Sequence, residues 1–290
     1  MNLVQLETII RQAGGRAFAL DYAEALLAKV NRVANHQVPA NYLTQFSRSG
    51  NEGDLRGRLL EINLINCFAE SKVPLTYEVK QGNTSGDIDL LWGLGGINVY
   101  IEVKLLRVAQ EIRSSFDAQL VASGISAGHV GDEIYDVMRL QYTLIDKATT
   151  RKFQYPPLAN NINLIAIDVS ELQLGTVDAA DCILATLGSE QVSNYFSHFC
   201  ARSEVLGLFE IESTLEQSYW AHLINRKIAS SPHPRDYIHG VIFLFRDPKE
   251  SAALSYSLRA CIAWNTNLIN KDLATQINTN FHKIVPFYTG

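Results

Sequence analysis

The chain has 290 residues, enough to bury a sizeable core in one large domain or two small ones. Its 47% hydrophobic and 19% charged residues exclude a largely disordered chain and fit an ordinary globular protein. The net charge of −5 gives none of the overall basic excess that nucleic-acid-binding domains often carry, and the acidic excess falls mainly in the C-terminal half.

Met1–Gly15 lacks a basic start followed by a long apolar stretch, so it does not read as a signal peptide. No run of eighteen apolar residues predicts a membrane span. Cys67, Cys182, Cys200 and Cys261 are scattered with no Cys-x-x-Cys pair, and a reducing, cytoplasmic setting is expected. Residues 17–34 combine strong helix formers with apolar positions at three- and four-residue intervals, which predicts a helix; a short second one follows near 40–47. Ser47–Asp54 is polar, contains two glycines and reads as a loop at a soft boundary. Leu59, Leu60, Ile62, Leu64, Ile65 and Phe68 then mark a helix over 55–71 that carries Glu61.

Short segments follow. Residues 75–80 alternate like a strand, 87–92 form a strand after Gly86, and Gly95-Gly96 turns into a strand over 97–105. A helix is predicted from about Glu133 to Lys152. Residues 162–169 and 238–245 read as apolar runs of strand length, broken only by Asn163, Asp168 and His239, and suited to the middle of a sheet; helices are expected at 178–200 and 215–229.

In Tyr100-Ile101-Glu102-Val103-Lys104 the period of a strand sends Glu102 and Lys104 to one face. Asp87 and Asp89 likewise share a face of the preceding strand, and the glycine turn can bring an aspartate beside Glu102. Two adjacent carboxylates repel unless a cation lies between them, and such oxygen ligands suit Mg²⁺. Acid-x-Lys triplets also occur at Glu78-Val79-Lys80 and at Asp247-Pro248-Lys249. The former lacks an aspartate strand shortly before it, and the latter sits at a proline turn.

Helix, strand, aspartate strand, glycine turn and Glu-x-Lys strand, in that order, resemble the PD-(D/E)XK phosphodiesterase superfamily. Asp89 matches the first acid, Glu102 the second and Lys104 the lysine, with no proline before the aspartate. Gly86-Asp87-Ile88-Asp89-Leu90-Leu91 is similar to the Gly-acid-x-Asp-apolar form of several members. The resemblance spans roughly 52–170. It implies a restriction-endonuclease-like α/β core, a mixed central sheet flanked by helices, at 51–170. Residues 1–50 would form a helical cap, and 171–290 an α/β extension packed on or extending the core sheet.

It also implies a Mg²⁺-dependent nuclease hydrolysing DNA phosphodiester bonds, with Mn²⁺ able to substitute. Asp89, Glu102, Glu61 and the Val103 carbonyl would hold the metal, Lys104 would assist the chemistry, and Asp87 and Gln141 are additional candidates. Arg107, Arg139, Lys147 and Arg151 are expected to meet phosphates. DNA is the expected partner, a homodimer is allowed and a membrane is not expected. A nuclease-like scaffold that binds nucleic acid or a protein without cutting is the alternative. His233 and His239 around a Ser-Ser-Pro-His-Pro loop read as exposed or turn-packed, and Trp220, Tyr219 and His222 as core packing of a helix.

Overall fold

The computed structural model describes residues 1–12, 20–35, 40–106, 133–170, 178–188, 207–209, 232–246 and 257–288. Of the helix expected over 17–34, the described part forms as α2 (Leu20–Ala34), the short one near 40–47 forms as α3 (Ala40–Ser47), and both are preceded by α1 (Leu3–Gln12). The next helix, α4 (Glu52–Glu70), begins three residues before the expected start. Asn51, read from sequence as part of a loop, is its N-cap: the side-chain carbonyl accepts from Asp54 N–H at 2.9 Å. At the far end Lys72 turns left-handed at φ 56° and releases the chain towards the sheet.

β1 (Thr76–Lys80), β2 (Asp87–Leu94) and β3 (Ile97–Leu105) form an antiparallel meander. Leu94 pairs with Ile97, so Gly95 and Gly96 alone make the β2–β3 turn. Their φ values of 56° and 87° belong to the tight hairpin turn that glycine favours at both central positions. α5 (Glu133–Ala148) then leads to β4 (Asn161–Asp168), which runs parallel to β3. β4 lies between two parallel neighbours and is buried along its whole length, which explains why its residues are mostly apolar, with Asn161, Asn163 and Asp168 as the buried exceptions.

The sheet continues past β4. After α6 (Ala179–Leu187), β5 (Gly240–Arg246) pairs parallel to β4, and β6 (Leu258–Trp264) pairs antiparallel to β5. α7 (Lys271–Phe281) follows, its first turn capped by Asn270 on Leu273 N–H. The described strands thus make one mixed six-stranded sheet in the order β1 to β6. Neither β6 nor α7 was anticipated, whereas residues 215–229, expected as a helix, lie outside the described residues.

Two cores cover the two faces of the sheet. On one, α1, α2, α4 and α7 pack on Leu90, Trp92, Val99, Ile101, Leu164 and Ile242. Trp92 meets Phe68 of α4 at 5.8 Å and Phe281 of α7 at 6.2 Å between ring centres, joining the N- and C-terminal helices over one strand. On the other face, α5 and α6 contribute Leu140, Leu144, Ile145, Cys182, Leu184 and Ala185 against Ile165, Ile167, Val241 and Phe243. Among the described residues no helix is long and apolar enough to cross a membrane.

Candidate active site

The β2–β3 ladder ends just before the two acids. Leu90 pairs with Ile101, and beyond that point side chains take over the backbone's hydrogen bonds. Val103 N–H donates to Asp89 Oδ2 at 2.7 Å, and Asp89 N–H donates to Glu102 Oε2 at 3.3 Å. The two acids are thereby wedged between diverging strands.

The neighbouring ladder bends at the same level. Its pairing passes from Tyr77 with Leu90 to Val79 with Ile88, and the intervening Glu78 stands at φ 51°. A glutamate in that left-handed conformation is uncommon and costs about 1–3 kcal/mol. The bend changes which face the strands serve: Tyr77 and Leu90 pack into the first core, Ile88 and Val79 against the second. Asp89, between Leu90 and Ile88, sits where that exchange occurs.

Glu102 is fully buried, at 0% exposure, so its charge needs compensation from within the protein. Two ammonium groups supply it at the same oxygen: Lys147 Nζ lies 2.5 Å and Lys152 Nζ 2.6 Å from Glu102 Oε1. Lys152 also lies 3.9 Å from Asp89 Oδ1 and so spans both acids. Lys147 is delivered by the last turn of α5. Lys152 is delivered by an early helix end: α5 stops at Ala148 instead of running on to residue 152 as expected, and Arg151 at φ 58° reverses the chain.

Burial, reinforced by the charge of Glu102, pushes the Asp89 carboxyl up to about 7, against the opposing effect of Lys147. Burial works against the Lys152 ammonium, but its hydrogen bond to Glu102 and the charges of Glu102, Asp89 and Glu61 outweigh that and raise its pKa. Glu61 therefore acts on the same cleft from α4. Its Oε2 accepts from Tyr77 O–H at 2.7 Å and from Arg58 Nη1 at 3.1 Å, which turns it towards β1. Among the described residues no three His, Cys, Asp or Glu side chains are grouped as a ready-made metal site. Asp89 and Glu102 offer two carboxylates, and the raised carboxyl of the first gives a divalent cation something to gain there.

The other candidates are distributed around this cluster. Lys104 is exposed, two residues beyond Glu102 on the same strand. Asp87 is exposed at the start of β2, across from Lys80. Gln141 is buried and donates to Ala185 O at 3.1 Å, tying α5 to α6. Arg139 is half-buried on α5, Arg151 is exposed beside Lys152, and Arg107 lies outside the described residues.

Lys152 is the group that sequence reasoning placed only as the last residue of a helix expected from about Glu133. Its signal was faint, since Thr149-Thr150 interrupts the strong helix formers but does not say where the next side chain will point. The two histidines are structural: His233 Nδ1 accepts from Arg235 N–H, and His239 Nδ1 from Asn163 N–H, each at 3.1 Å. Trp220, Tyr219 and His222 lie outside the described residues. Comparison of the chain with known protein families, with curated proteins and with solved structures finds no match to any of them.

Proposed function

We propose that this protein is a Mg²⁺-dependent nuclease of the PD-(D/E)XK type that hydrolyses phosphodiester bonds of DNA. The observation that carries the reading is the meeting of Asp89 and Glu102 where the β2–β3 ladder opens, with Lys152 spanning both. The element order α4, β1, β2, β3 with its two-glycine turn, then α5 and β4, supports the restriction-endonuclease-like core that the sequence resembles.

Asp89 and Glu102 would hold the metal, together with the Val103 carbonyl. Both backbone groups of a strand residue point to the same side, and Val103 N–H already faces Asp89, so its carbonyl shares that side. When bound, Mg²⁺ polarises the phosphate and lowers the pKa of a water. Lys147 and Lys152 reach Glu102 with side chains still 17% and 25% exposed, so each can exchange a carboxylate oxygen for a phosphate oxygen. Lys104, at the open end of the same strand, would offset charge building on the phosphate. Glu61, fixed by Tyr77 and Arg58, would hold a water at the edge of the site.

A second reading, a nuclease-like scaffold that binds without cutting, has one observation in its favour. Two lysines already neutralise Glu102 in full, as a purely structural cluster would require. Cleavage of single-stranded, duplex and branched DNA, assayed with Mg²⁺ and with Mn²⁺, separates the two. The nuclease reading expects metal-stimulated cleavage that falls by orders of magnitude in Glu102→Gln. An inert natural protein across all three substrates and both metals transfers the preference to the scaffold.

A further inference from the structure

Beside the acidic cluster lies a cleft of about 430 Å³ whose lining, Arg151 apart, has none of the roles above. Pro232 and Tyr237 line one side of it, and two segments make up the rest: the β1–β2 connection at Asn83, Thr84 and Ser85, and the stretch after α5 that runs from Thr149 through Arg151 to Tyr155. They are locked together. Gln81 is buried and accepts from Gln154 N–H at 2.9 Å while donating to Asn163 at 2.8 Å, and Ser85 N–H donates to Arg151 O at 3.4 Å. The cleft is therefore held open by the same hydrogen bonds that aim Lys152 at Glu102.

Its chemistry is mixed in an informative way. Tyr155 is 53% exposed, an unusual state for so large a ring, and is supported edge-on by Tyr237 at 6.0 Å and 77° between rings. Tyr237 is in turn fixed by donating to Ala148 O at 2.9 Å. Asn83, Thr149 and Arg151 also line the cleft, with the Thr149 hydroxyl donating back to Ile145 O at 2.9 Å and so offering an acceptor. A flat ring, neutral polar groups and one cation in the same cleft complement a single nucleotide: base on Tyr155, base edge on the amide and hydroxyl, phosphate on Arg151. The volume lies in the range that encloses one small ligand, and it is too small for a run of stacked base pairs.

We infer that this cleft is a subsite for one unpaired nucleotide flanking the phosphate at Asp89 and Glu102, which makes single-stranded or locally opened DNA the substrate class. The inference rests on the nuclease reading and specifies its substrate. Adjacent residues link the two sites, since Arg151 lines the cleft and Lys152 contacts Glu102.

Binding of the full chain to an oligonucleotide carrying 2-aminopurine, single-stranded or annealed into a blunt duplex, tests it in the presence of Ca²⁺. Tyr155→Ala should weaken single-strand binding about tenfold or more and abolish the quenching of 2-aminopurine that stacking causes. Tyr155→Phe should preserve both, and duplex binding should be the same in all three proteins. Tyr155→Ala that binds and quenches single strands like the natural protein overturns the subsite, as does a natural protein that binds only duplex. A natural protein that binds neither form overturns the nuclease reading and the subsite together.

Discussion

Replacing Glu102 with glutamine isolates the energy stored in the lysine cluster. The amide preserves size and one acceptor but removes the charge that two ammonium groups share at Oε1. Lys147 and Lys152 would then face each other at about 5 Å, where like charges repel by roughly 3 kcal/mol at an effective dielectric of about 20. Both side chains are partly exposed and can swing towards water, which removes about half of that repulsion. Breaking a buried ion pair from one side costs about 3–5 kcal/mol in other proteins, and the same route to water reduces that figure too. The expected net loss is about 3 kcal/mol, large beside a total stability of about 5–15 kcal/mol but not enough to unfold the chain. Lys147→Met in the Glu102→Gln background removes one of the repelling charges, so the double variant should be less destabilised than the two single losses summed, by about 1–2 kcal/mol. Urea denaturation at pH 7, followed by tryptophan fluorescence with Trp92 in the core as one reporter, gives all four stabilities. A loss below about 1 kcal/mol in Glu102→Gln, or strict additivity in the double variant, would refute the cluster as drawn here.

Two further expectations concern single groups. Asp89, at about 7, lies above the ordinary carboxyl value of 3.8, so its ionisation opposes folding. That cost is absent below about pH 4, grows as pH rises towards the folded value and is complete above it. Asp89→Asn keeps an acceptor for Val103 N–H and should raise thermal stability at pH 8, by roughly 1–3 kcal/mol, with little change at pH 4; a variant that melts at or below the natural protein at pH 8 contradicts this. The second concerns thiols. Burial pushes Cys67 and Cys261 up to about 12 and raises Cys182 well above the ordinary thiol value, so none should react with iodoacetamide at pH 8 in the folded chain. Peptide mapping should find no alkylation at these three positions before denaturant is added; labelling at the buried Cys182 or Cys261 would show that the core opens there, and labelling at the half-buried Cys67 would show that α4 lifts from it.

The parts of the fold that could be read in the sequence are those written in local pattern. The two glycines and the alternation of residues 97–105 place Asp89 beside Glu102, because a two-residue turn leaves little freedom of register. The helix bearing Glu61 was equally visible from its apolar spacing, although Asn51 was taken for loop when it is a cap. The compensation of Glu102 was not legible. Lys147 and Lys152 come from 45 and 50 residues further along the chain, and what directs the second is a left-handed Arg151 at the end of α5. A basic cluster on a predicted helix reads as a solvated face, and only the packing of α5 on the sheet decides otherwise. The bend at Glu78 has no local signature either, because glutamate does not ordinarily favour φ above zero. β6 was overlooked because Leu258–Trp264 mixes Arg259 and small residues into its apolar positions.

The Gly95-Gly96 turn also governs which deletions and insertions this chain can survive. Side chains alternate across a strand, so one residue added at that turn would slide β3 by a single step against β2. Glu102 would then be driven into the apolar face now filled by Ile101 and Val103, and an aliphatic side chain would arrive beside Asp89. An insertion of two residues restores the alternation but carries Glu102 past its partner along the strand. The spacing between the acids is thus held by loop length as firmly as by the acids themselves, and natural variants of this chain should vary in length elsewhere before they vary there.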